Sequence, residues 1–158
     1  MDPPGHVEAG FVAMYEEHYA RIVRALELDG LGRPSAEDAA QEAFARTLGH
    51  WARVRGGSNP AGYVYRTAFR LSRRRFRREI PISGEPGVQP DTAGDTTIRV
   101  SAERVLGSMP QRRRSVAVLC LVIGLSTKDA GRALGIAEGT VRKHLELARR
   151  DLRQALGE

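Results

Sequence analysis

Two glycines four residues apart, Gly131 and Gly135, restrict what the last third of this 158-residue chain can become. Ahead of them, Ser126-Thr127-Lys128-Asp129 has the pattern of a capping box that opens a helix. Leu134-Gly135-Ile136 ends that helix after a short run, and Gly139-Thr140-Val141 opens a longer one. Two short helices cross steeply only if the residue at the crossing is small and the turn admits a positive φ. Gly131 meets the first condition and Gly135 the second. Leu134, Ile136, Val141 and Leu145 have the spacing of side chains buried between such a pair. Thr140, Arg142, Lys143 and His144 then fall at the start of the last helix, with Arg149 and Arg150 further along. Residues 126–150 are thus expected to form a helix-turn-helix whose basic second helix enters the major groove by its N-terminal residues. A plain helical hairpin with a solvated charged face would share the helices; glycine placement and basic face together favour DNA.

The rest of the periodicity is helical too, with no strand-like alternation and no internal repeat. From Val7 to Leu28, Phe11, Tyr15, Ile22 and Leu26 share a stripe that Val12, Tyr19 and Val23 widen. Asp29 to Pro34 breaks it. A second helix is expected from Ser35, capped by that serine, with Asp38 reaching back and Ala40, Phe44, Leu48 and Trp51 facing inward. After a loop at 53–58, Asn59-Pro60 predicts a cap and first helical position for a third helix running to about Glu79. Residues 80–98 hold Pro81, Gly84, Pro86, Gly87, Pro90 and Gly94 with no stripe, which marks a linker. Beyond it come helices at about 99–107, from Pro110, from Ser126 and from Glu138 to about Leu156. The expected fold is all-α: two small helical domains, 1–79 and 99–158, joined by a flexible linker at 80–98.

Charge follows the same division. Residues 1–79 carry 13 basic and 10 acidic side chains, residues 80–98 none and three, and residues 99–158 carry 12 and six. Two basic lobes about an acidic tether suit a polyanion. Arginine outnumbers lysine 23 to two, which points first to a GC-rich genome and secondly to bidentate phosphate and guanine contacts. The third helix concentrates this charge: Arg66, Arg70, Arg73, Arg74 and Arg77 repeat at three- and four-residue steps, with Tyr63, Tyr65, Phe69 and Phe76 interleaved. Such like-charge crowding destabilises an isolated helix and calls for an anionic partner.

Other chemistries find little support. Cys120 is the single cysteine, so no intrachain disulfide can form, and its apolar setting reads as an inert buried thiol. The apolar run Val116–Ile123 is far short of the ~20 residues of a membrane span, and the N-terminus lacks a signal-peptide pattern. A cytoplasmic protein without membrane insertion is expected. His6, His18, His50 and His144 are scattered, with no metal-ligand spacing, phosphate-binding glycine loop or nucleophile elbow. We expect neither cofactor nor metal, and no enzyme.

Two segments carry a family resemblance. Met109-Pro110-Gln111-Arg112-Arg113-Arg114, Leu119, Ser126 to Val141 and Ala148 to Leu152 resemble region 4 of extracytoplasmic-function (ECF) sigma factors, in an actinobacterial-like form. Ala36-Glu37-Asp38-Ala39-Ala40-Gln41-Glu42-Ala43-Phe44 resembles their region 2. The resemblance implies a factor that directs promoter-specific initiation by core RNA polymerase. It assigns minus-35 reading to Thr140, Arg142, Lys143 and His144, with Arg112, Arg113 and Arg114 holding phosphates. It places the melted minus-10 strand against Arg53, Arg55, Ser58, Asn59, Tyr63, Arg66, Arg70, Arg73 and Arg74, with a flipped base in the loop before the third helix. Asp38, Gln41 and Glu42 become contacts to the polymerase β′ clamp helices, with the β flap and an anti-sigma factor as further partners. Two departures stand out: Ala130-Gly131 replaces a usual Ile-Ala, which implies a looser first helix, and Ala137 replaces a capping serine at a cost of ~1 kcal/mol. A helix-turn-helix regulator outside polymerase, or a sigma-like interaction module without promoter reading, would use the same residues differently.

Overall fold

The computed structural model describes residues 8–78 and 96–157, with the backbone alone at 75–78 and 96–100. Among these residues the secondary structure is helical: α1 (Ala9–Leu28), α2 (Arg33–Gly49), α3 (Trp51–Val54), α4 (Pro60–Arg78), α5 (Thr96–Ser108), α6 (Gln111–Ala117), a π-helical turn (Val118–Ile123), α7 (Thr127–Leu134) and α8 (Glu138–Leu156). The chain is all-α, in two helical domains. Most of the expected linker, residues 80–95, lies outside the described residues; its last part, from Thr96, is already helix α5.

In the first domain α1 and α4 cross α2. Phe11, Met14, Ile22, Val23 and Leu26 of α1 are buried with Phe44 and Trp51, and with Val64, Ala68 and Phe69 of α4. Phe11 meets Phe44 and Trp51 edge-on, at centroid separations of 6.2 and 5.5 Å. Three expectations shift here. Tyr15 and Val12 are exposed at 38%, because Met14 takes the inward place on α1 while Tyr15 stacks on Tyr19 at 5.1 Å. Leu48 is exposed because α2 packs with a stripe of small residues, Ala36, Ala39, Ala40, Ala43 and Thr47, that rotates Leu48 outward. Ser35 is not the cap: Gly32 is, without a side-chain bond, and the helix begins at Arg33. Pro34 explains the shift, since its fixed φ and missing N–H suit a first turn.

In the second domain the helix expected from Pro110 changes pitch. Its α-helical part ends at Ala117 and continues as the π-helical turn, closed by Gly124 at φ +88° and by Leu125 N–H donating to the Leu119 carbonyl at 2.9 Å. The wider turn keeps Val118 and Leu119 buried. Leu121 and Val122 are left exposed.

The two domains share their main core. Ile22, Leu26 and Phe69 from the first belong to one apolar cluster with Val116, Leu119, Ala130, Leu134, Val141 and Leu145 from the second. A smaller cluster of Leu106, Met109, Ala117 and Ala148 fixes α5 and α6 on α8.

Candidate nucleic-acid interface

The helix-turn-helix forms as its glycines require. Ser126 Oγ accepts from the Asp129 N–H at 3.0 Å, capping α7. Gly135 ends it at φ +68°. A Cβ on Gly131 would stand 2.8 Å from the Ile136 carbonyl oxygen, so α7 and α8 approach only because that side chain is absent. Gly131 is thus what the close crossing of α7 and α8 requires. Ala137 caps α8 without a side-chain bond. Glu138 in the first turn instead accepts from Thr127 Oγ1 at 2.8 Å and from Arg142 at 2.9 Å.

α8 buries Val141, Leu145 and Ala148 and presents Thr140, Arg142 and Lys143 outward near its N-terminus. His144 is half-buried, and its Nδ1 is enclosed without a hydrogen-bond partner. Desolvation, then Arg113, Arg112 and Lys143, push its pKa below the ordinary histidine value, so it is a neutral member of a basic group. Arg112 is exposed. Arg113 pairs with Asp151 at 2.8 Å, and Arg114 donates to the Met109 carbonyl at 3.1 Å, so these two also brace α6.

The second cluster surrounds the N-terminus of α4. Asn59 Oδ1 accepts from the Gly62 N–H at 2.9 Å, as the Asn59-Pro60 cap requires. Gly62 makes room for it: a Cβ there would lie 2.5 Å from Asn59 Nδ2. A cavity of about 310 Å³ opens beside this turn, and its walls bring together Arg53, Ser58, Asn59, Tyr63 and Arg66. The Arg66 guanidinium lies 5.3 Å from the centre of the Tyr63 ring, so aromatic face and cation form one surface. Arg55 turns elsewhere, to Glu8 at 2.8 Å, which also accepts from Trp51 Nε1 at 2.7 Å. Arg70, Arg73 and Arg74 continue along α4, whereas Tyr65 and Phe69 are core. The side chains of Phe76 and Arg77 lie outside the described residues. Two lining residues from the second domain, Asp129 and Arg132 of α7, escaped the sequence reading of this site. No local pattern could have found them, because only packing of the domains brings them there.

On α2, Asp38 and Gln41 are exposed and Glu42 is half-buried, bonded to Arg46 at 2.8 Å. Gln41 Nε2 donates to the Tyr19 hydroxyl at 3.4 Å, so the Tyr15–Tyr19 stack borders this acidic edge.

A family model for sigma-70 region 2 matches residues 11–80, and one for sigma-70 region 4 matches residues 99–152. The ECF RNA polymerase sigma factor SigL of Mycobacterium tuberculosis is 32% identical over 157 residues, covering 92% of this chain and 88% of that protein. This chain belongs to the ECF sigma factors. SigM of the same species is 26% identical over 93% of the chain and 77% of its own length. The fold is also that of CnrH, solved in complex with the cytosolic domain of CnrY, with a TM-score of 0.62 and 19% identity over 93% of this chain and 87% of that one. The sigma factor RpoE, solved with the anti-sigma factor NepR from Bartonella quintana, gives a TM-score of 0.62 and 20% identity over 90% and 96%. As a sigma factor the chain directs promoter-specific transcription initiation with core RNA polymerase, in a family of non-catalytic initiation factors. Among the described residues no helix is long and apolar enough to cross a membrane.

Proposed function

We propose that this ECF sigma factor divides promoter reading between its two domains, 1–79 and 99–158, joined by the acidic linker 80–98. Thr140, Arg142, Lys143 and His144 on α8 read the duplex minus-35 element, and Arg112, Arg113 and Arg114 hold adjacent phosphates. Arg53, Ser58, Asn59, Tyr63 and Arg66 receive an unpaired base of the melted minus-10 element, while Arg55, Arg70, Arg73 and Arg74 follow the strand. Asp38, Gln41 and Glu42 dock on the β′ clamp helices, and the second domain engages the β flap. The observation that carries this reading is the cavity before α4, where stacking face, cation and polar groups line one space. Stacking of a base on an aromatic ring supplies ~1–3 kcal/mol, and the cations add the sequence-independent phosphate term.

The polymerase supplies the bond-making chemistry, and this chain supplies position, readout and strand separation. It works in the cytoplasm. An anti-sigma factor is the natural holder of the free protein, since both solved relatives described above were captured with a binding partner. The test is reconstitution with core polymerase on a supercoiled promoter library. Discrete start sites that vanish without the chain are expected. Tight duplex binding by the free chain with no core binding would instead make it a helix-turn-helix regulator outside polymerase.

A further inference from the structure

A single acid stands in the middle of the basic face of α8. Val141, Leu145 and Ala148 form the buried side of this helix, whereas Arg142, Lys143, Glu146, Arg149 and Arg150 are exposed. At about 3.6 residues per turn, Glu146 projects between Arg142 and Lys143, one turn further along the axis. It therefore lies within the surface proposed to face the major groove, not at its border.

The fold employs the other acid of this stretch but not this one. Glu138 accepts from Thr127 Oγ1 at 2.8 Å and from Arg142 at 2.9 Å, which ties α8 to α7. Glu146 makes no hydrogen bond or ion pair among the described residues, although Arg142, Lys143, Arg149 and Arg150 all stand three or four positions from it. A carboxylate left free on a phosphate-facing surface weakens the attraction that the surrounding cations supply. The major groove does offer a group that such a carboxylate binds. Cytosine presents its N4 amino donor with no acceptor beside it; adenine sets N7 next to its amino group, guanine shows two acceptors, and thymine an acceptor and a methyl group. A group that only accepts hydrogen bonds fits the first and is repelled by the acceptors of the others.

Placement along the helix agrees. A helix lying in the major groove can read bases from positions i, i+3, i+4 and i+7. Gly139, Arg142, Lys143 and Glu146 have that spacing. A Cβ on Gly139 would meet nothing within 4 Å, so packing within the chain does not demand glycine there, and the bare backbone admits a close approach of the duplex.

We propose that Glu146 sets base specificity in the minus-35 element by accepting the N4 amino group of a cytosine. From Arg142 to Glu146 the helix rises about 6 Å, so that cytosine falls roughly two base-pair steps from the base that Arg142 reads. The inference rests on reading α8 as the minus-35 helix and adds to it a residue that selects by exclusion, since any other base brings an acceptor against the carboxylate.

The test is transcription by core polymerase reconstituted with the full chain, on a promoter library randomised across the minus-35 element. Transcript counts then give the base preference at each position. The wild-type chain is expected to favour cytosine about tenfold at one position. Glu146→Ala should flatten that position and leave the others as they were. Glu146→Gln should move the preference there from cytosine to adenine, whose N6 and N7 suit an amide; a variant that had merely lost its fold would gain no new preference. Arg142→Ala serves as the control and should flatten a different position. If both Glu146 variants change output evenly over all sequences while Arg142→Ala flattens its own position, the carboxylate contacts no base. The proposal is then overturned and the minus-35 reading of α8 stands. If no variant alters any preference, Arg142→Ala included, α8 does not read the minus-35 element and both fall together.

Discussion

Asp29 is the residue at which burial and charge conflict most. It is 1% exposed, and desolvation drives its carboxyl up to about 7 from the ordinary 3.8, against the opposing pulls of the Ser115 bond, the Arg114 charge and the Gln111 bond. With the folded-state value above the unfolded one, the unfolded chain releases its proton first as pH rises. Stability contributed at this site therefore falls from about pH 4 to about pH 7, by at most about 1.4 kcal/mol per pH unit, and then levels off. Thermal melts from pH 5 to 8 should show Tm declining to neutrality in the wild type, and Asp29→Asn should flatten that decline; an unchanged slope would place the effect on another group. Nothing in the sequence marked this aspartate beyond its place in a helix-breaking turn. Its burial comes from Ser115 and Gln111, over 80 residues away. Gly131 and Gly135 were legible, by contrast, because their demands are set within a few residues.

At the scale of elements, capping explains which boundaries could be read. Ser126 and Asn59 both cap the helices that follow them, and α8 runs from Glu138 to Leu156. The start of α2 and the π-helical turn were missed for different reasons. Pro34 permits a helix to begin upstream of the cap expected at Ser35, and a run of apolar residues gives no sign of a change in pitch. The uncapped start of α8 yields a prediction. Ala137 has extended φ and ψ of −67° and 148°, the conformation of a capping residue, so Ala137→Ser needs no rearrangement. The variant should gain about 1 kcal/mol, read as a higher midpoint in urea at constant m; no gain would mean that Glu138 already satisfies the N-terminus of α8.

For the whole molecule, the helical class and the two-domain plan were visible in periodicity and punctuation, but the packing of one domain on the other was not. That packing depends on surfaces far apart in the chain, such as Phe69 and Leu119. The proposed division of labour can be tested by mutation. Arg142→Glu with Lys143→Glu, both on the exposed face of α8, should abolish minus-35-dependent transcription while core polymerase is still bound within about twofold. Loss of core binding in the same variant, with helix content intact, would overturn the proposed division between the domains. The shared core also makes the chain its own optical reporter. Trp51 is the sole tryptophan, and it is buried in the first domain with its indole nitrogen bonded to Glu8, so its emission follows that half alone. Circular dichroism at 222 nm, where both halves contribute, should nevertheless trace the same denaturation curve. Two halves melting as one cooperative unit would make fluorescence from the N-terminal half a faithful witness to the loss of the helix-turn-helix.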